Sequence, residues 1–166
     1  YSGNAVLTDV LLAELEKAAN KAPVLVTSSV QAILDNDYGK SKKQAEDAIF
    51  AHGDKMGSPV YVFRMEGVFG KWCRPNYNSV VATFCHHIAR DLPIQVRDPA
   101  FELPLVYIDD VVRCILDALD GKVQKDAEGI CRIHPVHSVT LGRLAELLYS
   151  FKKSRQSLAV PALSPD

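Results

Sequence analysis

Apolar positions along the first third of the chain alternate between two periods. Leu7, Leu11, Leu12, Leu15, Ala18 and Ala19 recur at helical spacing and predict a helix over 5–20, which Lys21-Ala22-Pro23 stops. Val24-Leu25-Val26 follows as a short, fully apolar run ending in Thr27-Ser28-Ser29, the pattern of a buried strand with polar groups at its carboxyl end. Asp35-Asn36-Asp37 is a turn and cap cluster that predicts a helix over 38–52. Gly57-Ser58-Pro59 then leads into a second apolar strand, Val60-Tyr61-Val62-Phe63. Strand, helix and strand in that order form a βαβ unit, hence a parallel sheet with a right-handed crossover.

From Gly70 the pattern changes. Residues 71–78 are a polar, aromatic loop, and Val80, Val81, Phe84 and Ile88 predict a helix over 79–91. Short strands are expected at 94–97 and 104–108. Asp109-Asp110 caps a helix reaching about 119, with Val111, Val112, Ile115, Leu116 and Leu119 on its apolar face. A strand at 130–133 and a helix capped by Thr140 and running to 151 complete the expected elements. The prolines and weak periodicity of 154–166 read as a tail or linker.

Composition narrows the function classes. The chain has 166 residues, 48% of them hydrophobic and 23% charged, which suits one domain or two small lobes and excludes a disordered chain. Its 19 Lys and Arg against 20 Asp and Glu give a net charge of −1, so the basic excess of a nucleic-acid binder is missing. No apolar run approaches the ~20 residues of a membrane span. No secretory signal is recognisable, and with four scattered cysteines and no C-x-x-C the expectation is reduced thiols in a cytoplasmic protein without a zinc or redox motif. Cys85-His86-His87 are adjacent on a predicted helix and point in different directions, so no shared metal is expected there.

Candidate chemistry gathers around the first strand end. Tyr38 and Lys42 are one helical turn apart and share a face, while Ser29 sits where a parallel strand ends, the place where open α/β sheets bind ligands. An ammonium beside a phenol favours the ionised phenol and brings it toward the range useful for acid–base catalysis. A nearby hydroxyl can hold a substrate oxygen next to the phenol. Together the three groups suit proton transfer to a carbonyl while hydride arrives from a nicotinamide.

Thr27-Ser28-Ser29 followed by Asn36-Asp37-Tyr38-Gly39-Lys40-Ser41-Lys42 resembles the active-site segment of the extended short-chain dehydrogenases/reductases, the nucleotide-sugar epimerase and reductase group. The loop and helix start over 69–85 is similar to that of a capsule-sugar reductase branch of the group, and the resemblance continues through Leu105-Val106-Tyr107-Ile108-Asp109-Asp110 and Val139-Thr140-Leu141-Gly142. The resemblance implies an α/β fold: a partial Rossmann-like parallel sheet over 1–70 that holds the second half of a dinucleotide-binding domain, then a small α/β substrate lobe over 71–153. It implies Tyr38 as the acid toward a C4 oxygen, Lys42 as its cationic partner and a cofactor-ribose contact, and Ser29 as a hydrogen-bond donor to the keto group. Arg64 to Gly67 would lie where the backbone approaches the nicotinamide amide. Ser28, Lys71, Arg74, Asn76, Asn78 and Ser79 are the implied substrate contacts, the last two opening a helix whose free N–H groups suit a UDP diphosphate.

The implied reaction is NADPH-dependent (or NAD-dependent) reduction at C4 of a UDP-4-keto-6-deoxy-N-acetylhexosamine by a homodimer paired through the helices at 5–20 and 38–52. Epimerisation or dehydration is one alternative, although Val30-Gln31 offers no acidic residue after the strand-end hydroxyl, where dehydration wants one. A non-catalytic piece serving dimerisation or weak sugar-nucleotide binding is another. These residues contain no glycine-rich dinucleotide fingerprint, so the expectation is a middle piece of a longer protein, with an open sheet edge beside Val24–Val26. Gly67 and Glu66 replace an Asn and a Pro usual in the group, and Leu103 stands where an Arg is usual.

Overall fold

Polar caps and buried apolar faces decide where the elements of this chain begin and end. The computed structural model describes residues 2–157. In chain order the elements are α1 (Ser2–Lys17), β1 (Val24–Ser29), a 3₁₀ turn (Val30–Ile33), α2 (Asp37–Met56), β2 (Val60–Met65), β3 (Gly67–Phe69), α3 (Val80–Ala89), β4 (Glu102–Tyr107), α4 (Ile108–Leu119), β5 (Ile130–Cys131), β6 (His137–Thr140) and α5 (Leu141–Ser157). They form two units, residues 1–66 with 109–135 and residues 67–108 with 136–166.

The first unit is built on a parallel sheet of order β1-β2-β5. β1 and β2 pair from Val24↔Val60 to Ser29↔Met65, and β2 pairs with β5 through Val62↔Ile130 and Phe63↔Cys131. Its core gathers Leu12 of α1, Val24, Ile49 of α2, Val60, Val62 and Ile130, with Leu15, Val26, Ala48 and Phe50 packed around them. The βαβ expectation therefore holds, crossover helix included. The expected consecutive blocks 1–70 and 71–153 differ from the observed units at 67–70, which join the second unit, and above all at 109–135. The latter stretch rejoins the first unit because Ile130 and Cys131 are fully buried beside β2.

The second unit has a three-stranded sheet of order β3-β4-β6, parallel between β3 and β4 and antiparallel between β4 and β6. Phe84 and Ile88 of α3 meet Leu144 and Ala145 of α5 in its core.

Several boundaries move for identifiable reasons. α1 ends at Lys17 rather than 20, because Ala19 adopts a left-handed backbone with φ 50°. α2 continues past 52 to Met56 and stops at Gly57, whose left-handed conformation (φ 64°, ψ 33°) closes the helix with an N–H to the Gly53 carbonyl. The strand expected at 94–97 does not form. Ile94 and Val96 instead pack on the Phe84–Ile88 core as irregular chain. β3 and β6 escape sequence reading because they are only 3 and 4 residues long, and β6 opens on the exposed polar pair His137-Ser138. The strand at 130–133 shortens to two residues, and α5 runs through 154–157 into the expected tail, whose remainder at 158–166 lies outside the described residues. No helix among the described residues is long and apolar enough to cross a membrane.

Candidate functional site

β1 carries its polar end into a tightly specified turn. Ser29 is extended (φ −139°, ψ 150°) and caps the 3₁₀ turn, its Oγ accepting the Gln31 N–H at 3.2 Å. Asn36 then caps α2, with its Oδ1 accepting the Gly39 N–H at 2.7 Å. Gly39 allows these pieces to touch: a Cβ there would lie 2.4 Å from the Leu34 carbonyl oxygen and 2.5 Å from that of Gln31. The first turn of α2 consequently rests on the backbone of the turn that follows Ser29.

That docking brings the predicted trio to one end of β1. The Lys42 ammonium lies 5.9 Å from the centre of the Tyr38 ring and donates to the Thr27 carbonyl at 3.3 Å, two residues before Ser29. An ammonium makes three N–H bonds, so Lys42 retains two to offer a ligand. Ser29 accepts from Gln31 and keeps its own hydroxyl hydrogen to donate. A phenol, an ammonium and a hydroxyl donor at the carboxyl end of a parallel strand can bind a carbonyl oxygen and protonate it.

Two other predicted residues face inward. Ser28 is buried and donates its hydroxyl hydrogen to Glu46 Oε1 at 2.6 Å, so it has none left for a substrate. Arg64 lies within β2 rather than beyond it. Its guanidinium, only 6% exposed, donates from Nε and Nη2 to Glu46 and from Nη1 to Glu128. The Glu46 carboxylate holds Arg64 charged, pushing its ionisation above the usual range for arginine. The side chain of Arg64 is therefore committed to protein carboxylates. Sequence reasoning missed Glu46, although its spacing was available: Tyr38, Lys42 and Glu46 recur every fourth residue, and a carboxylate among Ala45, Ala48 and Ile49 on a packed helix needs a buried partner.

The remaining candidates belong to the second unit. Gly67 opens β3 opposite Leu105. The loop after β3 presents Lys71 5.6 Å above the Trp72 ring and Arg74 5.9 Å above the Tyr77 ring, with Trp72 93% exposed. Asn76, at φ 55°, donates its backbone N–H to Thr83 Oγ1 at 3.0 Å and holds its Oδ1 2.8 Å from His87 Nε2. Asn78 is exposed, and Ser79 caps α3 with its side chain accepting the Ala82 N–H. Beside α3 lies a cavity of about 460 Å³ lined by Thr83, Phe84, His87, Pro93, Ile94 and Gln95. Among the described residues no cluster of three His, Cys, Asp or Glu side chains could hold a metal ion.

Comparison with known proteins places this geometry. The model of the NAD dependent epimerase/dehydratase family matches residues 4–133. The chain is similar to a UDP-2-acetamido-2,6-beta-L-arabino-hexul-4-ose reductase of Pseudomonas aeruginosa, with 48% identity over 156 residues that cover 94% of this chain and 41% of that protein. It is also similar to the crystal structure of the capsular polysaccharide assembling protein CapF from Staphylococcus aureus, with a TM-score of 0.87 and 44% identity over 93% of this chain and 42% of that one. A UDP-glucose 4-epimerase of Thermotoga maritima, solved with UDP-glucose, shares the fold at a TM-score of 0.76 and 24% identity, over 89% of this chain and 52% of that one. The chain thus spans about two-fifths of the length of the curated relative it matches.

Proposed function

Because the chain belongs to the NAD dependent epimerase/dehydratase family, we propose that it carries the proton-delivery site of a reductase acting at the C4 ketone of a UDP-linked 4-keto-6-deoxy-N-acetylhexosamine. The observation that carries this reading is the Lys42 ammonium set between the Tyr38 ring and the Thr27 carbonyl, on the strand that ends in Ser29. The similarity to a reductase named for a UDP-linked hexul-4-ose supports the substrate class.

Each residue has a distinct task. Ser29 donates its free hydrogen to the ketone oxygen and holds it beside Tyr38. The Tyr38 hydroxyl gives its proton to that oxygen as carbon 4 becomes tetrahedral, so the ketone ends as an alcohol. Lys42 stabilises the negative charge left on the phenol and offers its two remaining N–H bonds to a ribose. A bound nicotinamide cofactor, NADPH in this reading, supplies the hydride. The donors present fit the ribose end of such a cofactor, but no glycine-rich diphosphate cradle occurs within the 166 residues, so no diphosphate contact is assigned. In the second unit, Asn78, Ser79 and the start of α3 offer N–H donors to a UDP diphosphate, with Lys71 and Arg74 in the preceding loop as countercharges. The setting is cytoplasmic and the enzyme a homodimer. Leu7 and Leu11 of α1, exposed by 69% and 52%, support a partner on that helix.

NADPH titrated into this chain, and into the chain extended by its natural flanking residues, tests the cofactor assignment. Tight binding is expected from the extended form. With a UDP-4-keto sugar added, one reduced nicotinamide should be consumed for each sugar converted. Conversion without net consumption would replace reduction by epimerisation or dehydration, and absence of both binding and conversion would leave a non-catalytic module.

A further inference from the structure

A fully buried carboxylate lies behind the proton-delivery face. Glu46 has no solvent exposure, and it sits on α2 one turn beyond Lys42 and two beyond Tyr38. Its Oε1 accepts from Ser28 Oγ at 2.6 Å and from Arg64 Nε at 3.0 Å, and its Oε2 accepts from Arg64 Nη2 at 2.8 Å. Ser28 and Arg64 are register partners on β1 and β2, so one carboxylate joins the helix to both strands at the same level. Arg64 Nη1 reaches Glu128 at 2.8 Å and ties in the chain just before β5.

Burial of this ion pair is poorly explained by stability. A desolvated pair commonly contributes no more than apolar residues of the same size, while removing one partner alone leaves an expensive unpaired charge. Its placement has a clearer consequence. α2 is tied to β1 at two successive residues, through Lys42 to the Thr27 carbonyl and through Glu46 to the Ser28 hydroxyl. The next residue is Ser29.

We propose that Glu46, clamped by Arg64 and Ser28, is a positioning residue that fixes how far α2 slides along β1, and so sets the Ser29 hydroxyl against the Tyr38–Lys42 face. This deepens the reductase reading and rests on it. Small displacements at such a site are costly, since a shift of about 1 Å can lower a rate about 10²-fold.

The test uses the protein with its natural flanking residues, in three variants: Glu46→Gln, the paired replacement Glu46→Leu with Arg64→Met, and Tyr38→Phe. The paired replacement keeps the volume apolar and preserves folding without the clamp. We expect both Glu46 variants to lose about 10- to 100-fold in kcat, with KM for the UDP-4-keto sugar changed less than about threefold. A second readout needs no turnover. The Gln31 amide, which donates to Ser29 Oγ, should exchange about tenfold faster while the Ala45 and Ile49 amides, which flank Glu46 on α2, keep their rates. Parental kcat in the paired variant would overturn the proposal. Equal acceleration of exchange at Gln31, Ala45 and Ile49 would also overturn it, since the pair would then serve the fold alone. Parental turnover by Tyr38→Phe would instead overturn the catalytic reading, and the positioning role with it.

Discussion

Gly39 illustrates how a single residue governs the site. Alanine is the better helix former by about 1 kcal/mol, yet a Cβ at this position would press on two carbonyl oxygens at 2.4 and 2.5 Å. Gly39→Ala should therefore lower both the melting temperature and kcat, the reverse of its effect on an isolated helix. Ser29→Ala removes the hydroxyl proposed to donate to the ketone oxygen and should lower kcat about 10²-fold, as loss of one oxyanion donor does, with the fold unchanged by circular dichroism. At this scale the sequence was readable where partners are close along the chain. Tyr38 and Lys42 share a face through helical periodicity alone, whereas the Ser28–Glu46 and Glu46–Arg64 contacts each span 18 residues and join different elements. The Arg64 side chain accordingly turned out to serve a core carboxylate, which no local pattern announced.

Elements depend on their ends. Asn36→Ala should cost the α2 start about 1 kcal/mol, and Asn36→Asp should retain most of it, both measured by denaturant unfolding. Ile130 supplies half of a two-residue strand and is fully buried beside Val62. Ile130→Ala should destabilise the chain by about 2–5 kcal/mol. The turn before β5 has an acid dependence of predictable sign. Asp126 accepts the Ile130 N–H, its main stabilising contact, along with Arg132 and the Glu128 N–H, and these hold its carboxyl below the ordinary 3.8. A lowered folded-state value gives a stabilisation present above the unfolded value and lost as pH falls through the folded one. Protection of the Glu128 and Ile130 amides should therefore collapse below about pH 4, and Asp126→Asn should remove that pH dependence. Helices and buried strands were legible because their apolar patterns are long. β3, β6 and the irregular stretch at 94–97 were not, since pairing partners rather than composition decide such short segments.

Across the whole molecule, the β1–α2 segment that carries the proposed site belongs to a parallel sheet whose β1 has a single strand neighbour among the described residues. The parallel architecture followed from the order of apolar runs. The return of 109–135 to the first unit did not, because it rests on long-range contacts, the pairing of β2 with β5 and the Arg64–Glu128 ion pair among them. A cofactor that binds only the folded protein raises its stability by mass action, about 2.7 kcal/mol at a hundredfold excess over Kd. Thermal unfolding with NADPH should thus shift strongly for the chain with its natural flanking residues and little for the 166 residues alone.

The most direct measurement is the rate of NADPH oxidation by the Tyr38→Phe protein, given a UDP-4-keto sugar and carrying its natural flanking residues. Loss of a positioned general acid predicts a fall of about 10²- to 10⁴-fold, with NADPH affinity held within about threefold. An unaltered rate would show that the proton comes from elsewhere and would contradict the account.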